Sequence, residues 1–277
     1  MVTFLIQVGE AKHILGAPRI LPLQIEGSVA IELINYANWL NGETIYNYIL
    51  AENFGVTTGG KPFPNSTQPF IPIGSVEFVL DCLKQMGIQT VKPLNMQEEL
   101  WSHVRREVKI AKPGVIENDG KWNLKSTQQI KSQYNDRYDG DRGCKSIIKQ
   151  SIDVFGDEDV FMTRWVDDVI SEWRVFVYNK EIVGICNYCG DEWIVPDRAY
   201  VENIVREYDK RSYAFDVMVY KEFSHYTTNG YSHHDTITDI VELHDFFSCG
   251  LYGMSDPKLL LMWTTAIQEI IEAQNET

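Results

Sequence analysis

Apolar and polar positions in the first third of the chain follow helical and strand-like periods in turn. The pattern predicts a strand at Thr3–Val8, a helix at Ser28–Leu40 ending at Asn41-Gly42, a second helical stretch at Ile45–Phe54, a helix at Val76–Met86 capped by Ser75, and a strand at Gln89–Lys92. The loop from Thr57 to Gln68, rich in Gly, Pro and Ser, separates the second and third of these helices. This order is typical of a small α/β unit.

From Val108 onward, short strands become frequent and alternate with fewer helices. The pattern predicts strands at Val108–Ala111 and Phe161–Val166, a helix capped by Ser126, a hairpin of Glu172–Tyr178 and Glu181–Tyr188 around Asn179-Lys180, a helix at Asp197–Lys210, strands at Tyr213–Tyr220 and Ile237–Leu243, and a last helix from Ser255-Asp-Pro257 to Glu272. Helices mixed with antiparallel strands indicate an α+β fold.

Composition narrows the class of protein. The 277 residues are 44% hydrophobic and 23% charged, as in globular chains, and 39 acidic against 25 basic residues give a formal charge of −14. This charge disfavours general nucleic-acid binding, unless Arg137, Arg142, Lys145 and Lys149 form a local basic groove. Five scattered cysteines favour a reducing cytoplasm, and no apolar run has the length of a membrane span, so we expect a cytoplasmic protein without a membrane partner.

Two late strands carry candidate metal ligands. In Tyr213–Tyr220, side-chain alternation places Asp216 on the face opposite Phe215, and in the next strand it places Glu242 and His244 on one face. If the strands pair, two carboxylates and an imidazole converge, and a divalent metal would offset their charge. The alternative is that these are solvated residues at a sheet edge.

Several cations are candidates for an anionic ligand. Glu172 and Arg174 share one face of a strand, so Arg174 either pairs with a carboxylate or meets a phosphate or carboxylate ligand. Lys109, Lys112 and Lys121 flank a turn and are either surface charges or phosphate contacts.

Other cysteine and histidine pairs are weaker candidates. Cys186 and Cys189 form a single CxxC, for which buried inert thiols are the simpler interpretation. His225, His233 and His234 fall in the predicted loop between the two late strands, and they lack a zinc-ligand spacing.

Taken in order, these segments resemble the ATP-grasp superfamily, and specifically a little-characterised branch common in phages and bacteria. The resemblance covers about residues 70–255 and rests on Pro72–Phe78, Val108–Pro113, Phe161–Val166, Ser171–Val177, Tyr213–Val217 and Val241–Tyr252. It implies two α+β lobes that grip a nucleotide, at 96–166 and 167–277, preceded by an α/β domain at 1–95. A phage-encoded member would act in the host cytoplasm.

The resemblance also implies roles for the residues already singled out. These are ATP-phosphate contacts for Lys112 and Lys121 with Lys109 beside them, adenine contacts from the backbone of Arg164, Trp165 and Val166, a nucleotide-site position for Glu172, the transferring phosphoryl group for Arg174, and Mg²⁺ ligands Asp216 and Glu242. The superfamily usually reads Glu-x-Asn where this chain has Glu242-Leu-His244, so Asp245 would supply an oxygen ligand or the site would favour Mn²⁺.

The implied activity is that of an ATP-dependent ligase. Such an enzyme joins a carboxylate to an amine through an acyl phosphate, and its partners would be ATP and a small-molecule or peptide carboxylate and amine. The alternative that His244 leaves open is a catalytically silent ATP-grasp module for binding or interaction, such as one used in phage–host conflict.

Overall fold

The fold was analysed in a computed structural model. It describes residues 1–11, 19–52, 56–57, 61–62, 70–88, 90–112, 121–128, 136–139, 156, 158–226 and 232–275. The chain forms two units, of which unit 1 contains Met1–Val91 with Asp245–Thr277 and unit 2 contains Lys92–His244.

Unit 1 is a sheet flanked by helices. Its elements are β1 (Val2–Ala11), β2 (Arg19–Pro22), α1 (Ile25–Asn41), β3 (Tyr46–Glu52), β4 (Val56–Thr57), β5 (Lys61–Pro62), β6 (Phe70–Ile73) and α2 (Val76–Gln85), followed after unit 2 by a short 3₁₀ helix (Phe246–Ser248) and a C-terminal helix (Leu259–Asn275). β1 lies between β3 and β6 and is parallel to both, while β2 is antiparallel to β1. The apolar side chains of β1 and the C-terminal helix, including Leu5 and Ile267, are buried in this unit.

Local signals explain where the helices of unit 1 begin and end. Gly42 adopts the left-handed conformation at φ 68° and its N–H donates to the carbonyl of Trp39, which confirms the predicted end of α1. The Ser75 hydroxyl accepts from the N–H of Phe78, which confirms the predicted cap of α2.

Two predictions for unit 1 are wrong. Ile45–Phe54 was expected to be helical, yet Tyr46–Glu52 forms β3, because parallel pairing with β1 buries Ala51 and satisfies the backbone. Thr90–Lys92 do not form a strand, and Gln89 lies outside the described residues.

Unit 2 begins with a 3₁₀ helix (Glu98–His103) and an antiparallel sheet. The strands are β7 (Val108–Ala111), β8 (Lys121–Ser126), β9 (Asp136–Asp139) and β10 (Val160–Arg164), in the order β7-β10-β8-β9. Lys121 was expected in a turn but begins β8. Ser126 ends that strand and its hydroxyl accepts from the N–H of Gln128, while the predicted helix beyond it falls on residues outside the described ranges.

A second antiparallel sheet completes unit 2. It contains β11 (Val169–Tyr178), β12 (Glu181–Gly190), β13 (Ser212–Tyr226) and β14 (Ser232–Asp245) in the order β12-β11-β13-β14, with α3 (Arg198–Glu207) between β12 and β13 in the chain. One face of this sheet carries Trp173, Val175, Phe215 and Val217, which pack with Ile204 of α3 in one core. The residues between them along β11 and β13 therefore belong to the opposite face.

The predicted hairpin is confirmed in detail. Asn179 and Lys180 connect β11 to β12 with φ of 48° and 65°, as a two-residue turn of type I′ requires. The ammonium group of Lys180 donates to the carbonyls of Arg206 and Tyr208, so the turn also caps the end of α3.

The histidines between the late strands were expected in a loop, and that expectation is wrong. β13 and β14 are longer than predicted and contain His225, His233 and His234. The rings of His225 and His233 are stacked with centroids 4.8 Å apart, which is a contact between neighbouring strands.

A buried ion pair fixes the segment between the 3₁₀ helix and β7. Arg106 donates to Asp239 of β14 at 2.6 Å, and both side chains are almost fully buried. Asp239 also accepts from the N–H of Arg105 and from the hydroxyl of Tyr200 on α3. The carboxylate therefore joins three parts of unit 2.

The domain boundaries at residues 95 and 166 stay a prediction. The C-terminal helix groups with unit 1, however, and not with residues 167–244 as expected. No helix in the described part of the chain is both long enough and apolar enough to cross a bilayer.

Replacing Asp239 with alanine should destabilise the protein strongly, because it leaves the buried guanidinium of Arg106 without its carboxylate. We expect the free energy of unfolding from urea denaturation to fall by about 3–5 kcal/mol. The control Glu202→Ala breaks an exposed pair with Arg198 and should cost far less, because water solvates both charges. Similar losses in the two variants would contradict the anchoring role of Asp239.

Candidate functional site

The polar face of the second sheet is organised by an ion pair between neighbouring strands. Arg174 of β11 lies directly opposite Asp216 of β13. The guanidinium donates to both carboxylate oxygens, at 2.7 Å from Nε and 2.8 Å from Nη2. The two side chains are 6% and 3% exposed, so each charge depends on the other for compensation.

Glu242 and His244 of β14 extend this cluster. His244 Nε2 lies 3.2 Å from Asp216 Oδ2 and 3.5 Å from Glu242 Oε1. The same nitrogen lies 2.9 Å from Arg174 Nη2, so its tautomer decides whether it accepts from the guanidinium or donates to a carboxylate. Glu242 forms an ion pair with Lys125 of β8, which connects the two sheets of unit 2.

Burial and charge shift the ionisation of these carboxyl groups in opposite directions. Burial opposes the charge on Asp216, but hydrogen bonds from His244 and Arg174 outweigh it and lower the pKa of this carboxyl. Burial likewise opposes the charge on Glu242, and the nearby Lys125 and His244 lower its pKa. Glu172 has a raised pKa, because burial and the negative charge of Asp216 both disfavour its ionised form.

Tyr188 covers the guanidinium of Arg174. Its ring centroid lies 5.8 Å from the Arg174 Cζ atom. Burial, followed by the charges of Asp216 and Glu172, raises the pKa of its hydroxyl. The pairing of β11 with β12 passes from Cys189 to Asn187, so Tyr188 occupies a bulge in β12.

The donor set of the cluster suits a divalent cation. Ligand atoms of Asp216, Glu242 and His244 lie within 4.8 Å of one another. Carboxylate oxygens fit Mg²⁺ and Mn²⁺, and the imidazole nitrogen shifts the preference towards transition metals. Asp245 follows on the strand, and alternation assigns it to the face of buried Leu243, opposite His244.

A cavity of about 270 Å³ lies beside the cluster in unit 2. Its walls include Asn123 of β8, Trp165 and Val166 in the segment that joins β10 to β11, Glu172 of β11, Met218 of β13 and Val241 of β14. Glu172 is two residues from Arg174, and Met218 is two residues from Asp216 on the same strand. The cavity and the charged cluster therefore share one face of the sheet.

Comparison with known proteins identifies this arrangement of two sheets. A family model for the ATP-grasp domain, the second family of one clade of that superfamily, matches residues 142–262. The RimK domain ATP-grasp protein of Sphaerobacter thermophilus is similar in structure, with a TM-score of 0.51 and 14% identity over 96% of this chain and 97% of that one. The chain belongs to the ATP-grasp superfamily.

More distant similarities have lower TM-scores. D-alanyl-alanine synthetase A of Vibrio cholerae has a TM-score of 0.48 and 11% identity, with 98% of each chain covered. The L-amino acid ligase of Bacillus licheniformis has a TM-score of 0.45 and 10% identity, over 86% of this chain and 71% of that one. A search of curated proteins finds no match to the sequence.

The three predicted phosphate lysines of this ATP-grasp chain lie in different settings. Lys109 lies over the ring of Trp122, 4.2 Å from its centroid. Lys112 forms a half-exposed pair with Asp159 at 3.4 Å. Lys121 binds both carboxylate oxygens of Asp167, at 3.0 and 2.8 Å. Their contacts with a nucleotide stay predictions.

The sheet register separates Lys109 from the cavity. Met162 is paired with Lys109 and Arg164 with Trp122, so Lys109 and Arg164 share a face of the first sheet. Asn123, which lines the cavity, belongs to the opposite face. This placement does not favour a phosphate contact for Lys109.

The segment predicted to meet adenine borders the cavity. The N–H groups of Arg164 and Trp165 already donate to the carbonyls of Glu107 and Lys121. The guanidinium of Arg164 lies 4.0 Å from the centroid of Trp122 and pairs with Glu107. The segment is therefore held from the first sheet while Val166 continues towards the second.

Sequence reasoning missed Lys125 as a site residue. Once β8 is recognised as a strand, alternation places Lys121, Asn123 and Lys125 on one face, and that signal was available in the sequence. Tyr188 was missed because a bulge, which period-two alternation does not predict, sets its position.

Replacing Arg174 with methionine should destabilise the protein in a pH-dependent way. The folded pKa of Asp216 is lower than its unfolded value, so the pair stabilises the fold above the unfolded pKa of about 4 and loses that contribution as the pH falls. We expect a loss of about 3–5 kcal/mol at pH 7 in urea denaturation. A loss that does not shrink as the pH falls below about 4 would contradict this assignment.

Proposed function

We propose that this ATP-grasp protein is an ATP-dependent ligase that joins a carboxylate to an amine. The observation that carries the proposal is the cluster of Asp216, Glu242 and His244, with Arg174 and Lys125 bound to it, beside a cavity on the same sheet face. Carboxylates for a metal and cations for phosphates, next to a pocket for a base, are the parts that phosphoryl transfer from ATP requires.

The nucleotide would bind with its base in the cavity. A volume of about 270 Å³ is below the 300–1,000 Å³ of typical whole-ligand sites, so the cavity suits a base, and the phosphates would extend beyond it. Val166 and Trp165 form one wall, and Met218 and Val241 supply apolar contacts. Glu172 at the inner end lies two residues from Arg174, which directs the phosphates towards the charged cluster.

The chain's acidic residues would hold the metal. Asp216 and Glu242 are the oxygen ligands, His244 adds a nitrogen, and Asp245 stays a further predicted ligand on the adjoining face. A bound Mg²⁺ or Mn²⁺ neutralises negative charge on phosphate oxygens. Because His244 replaces an oxygen donor, we propose that Mn²⁺ supports binding at least as well as Mg²⁺.

Arg174 and Lys125 would stabilise the charge on the transferring group. In the first step, a substrate carboxylate oxygen bonds to the γ-phosphorus while the bond to ADP breaks, which gives an acyl phosphate. The amine nitrogen then bonds to the carbonyl carbon, the carbon–oxygen bond to phosphate breaks, and a proton leaves the nitrogen. Both steps depend on orientation and on fixed positive charge, and neither needs a protein nucleophile.

The substrates we propose are ATP, a carboxylate and an amine, each a small molecule or a peptide. A carboxylate is the acceptor that gives an acyl phosphate with ATP, and an amine is the nucleophile that turns this intermediate into an amide. The free cysteines Cys82, Cys186, Cys189 and Cys249 in the described residues support a reducing cytoplasm as the protein's location.

A second candidate is a catalytically silent module, such as one acting in phage–host conflict. It is favoured by His244, which stands where the superfamily usually has asparagine and which already contacts Arg174 and Asp216. In that case the charged cluster would serve to hold β11, β13 and β14 together.

Mg²⁺ and ATP together should raise the melting temperature, because a ligand that binds the folded state stabilises it. Glu242→Ala should lose most of this shift, whereas Glu222→Ala, an exposed change on β13, should keep it. Incubation with ATP and mixed amino acids should release phosphate if the protein is a ligase. A shift without phosphate release favours the silent module, and no shift in the wild type rejects nucleotide binding.

A further inference from the structure

The carboxylates that would bind the metal are already neutralised in the free protein. Asp216 is bound by both donor positions of Arg174, and Glu242 is bound by Lys125. The carboxylate side chains are 3% and 24% exposed, so water contributes little to their solvation. The charges of these two carboxylates and two cations thus balance one another.

A divalent cation alone would meet an unfavourable environment in this cluster. To reach Asp216 and Glu242 it must displace Arg174 and Lys125, which would then lie buried or half-buried without an anion. If it leaves them in place, it sits within a few ångströms of two positive charges. Each route costs more free energy than binding to the same carboxylates without these cations.

A triphosphate removes this conflict because it supplies new anionic partners for both cations. Lys125 has a flexible stem and reaches Glu242 from the first sheet, so its ammonium group can move to a phosphate oxygen while Glu242 turns to the metal. Arg174 has two partners on one side, Asp216 and His244, and the ring of Tyr188 on another. These contacts keep its guanidinium at the cluster when Asp216 exchanges it for the metal.

We infer that Lys125 and Arg174 mask the metal-binding carboxylates in the free protein, so that a divalent cation binds tightly only together with a polyphosphate. The inference rests on the proposed function for the identity of the anionic ligand. It adds an exchange of partners in which Lys125 pairs with Glu242 in the free state and with phosphate in the bound state. Linkage requires the nucleotide to bind more tightly with metal by the same factor.

The test measures binding of Mn²⁺ to the whole chain by electron paramagnetic resonance. With wild-type protein, Mn²⁺ alone should bind at least about tenfold more weakly than Mn²⁺ with the β,γ-imido analogue of ATP. Lys125→Met should bind Mn²⁺ alone about tenfold more tightly than wild type and should lose most of the coupling to nucleotide. Equal affinity of the wild type for Mn²⁺ with and without nucleotide would overturn the inference.

Two further variants locate the effect. Lys221→Met removes one positive charge from the exposed end of β13 and should leave Mn²⁺ binding unchanged. Adding Glu242→Gln to Lys125→Met should abolish the gained Mn²⁺ affinity, and melting curves check that each variant is folded. A gain in Lys221→Met, or no gain in folded Lys125→Met, would overturn the masking by Lys125.

The same titrations separate this inference from the proposed function. If the nucleotide binds but does not couple to Mn²⁺, the proposed function stands and the exchange of partners is wrong. If no nucleotide binds, the proposed function is wrong. The nucleotide-free comparison of wild type with Lys125→Met then decides the masking contact by itself: a gain supports it, and the lack of a gain overturns it.

Discussion

The pairing of buried carboxylates with cations from neighbouring strands is the constraint on which this site depends. Asp216 and Arg174 face each other across β13 and β11, where a lone charge would be strongly destabilising. The apolar residues that alternate with them form the core against α3. The fold of the second sheet and the chemistry of its polar face are therefore set by the same alternation.

The two sheets of unit 2 contribute different parts to the site. The second sheet supplies the carboxylates and Arg174, and the first supplies Lys125 together with the wall of the cavity that contains Asn123. Asp239 fixes the segment before β7 onto β14 through Arg106, which holds the entry to the first sheet in place. An ATP-grasp protein that changes partners at Glu242 would use a rigid frame of this kind, in which a flexible lysine is the part that moves.

Strong local signals made part of the structure predictable from sequence. Gly42, Ser75 and the pair Asn179-Lys180 act through a few neighbouring residues, and the alternation that placed Asp216 opposite the apolar core needs only one strand. Tyr46–Glu52 was misassigned because its partner strand is about forty residues away and decides its conformation. Lys125 was missed because its role depends on contact with Glu242, which is 117 residues later in the chain.

A crystal structure with Mn²⁺ and a non-hydrolysable ATP analogue tests the account most directly. We expect anomalous scattering from Mn²⁺ between Asp216 and Glu242, the base against Val166 in the cavity, and the Lys125 ammonium group on a phosphate oxygen. A nucleotide bound outside the cavity, or a Lys125–Glu242 pair that persists with the metal located elsewhere, would contradict it.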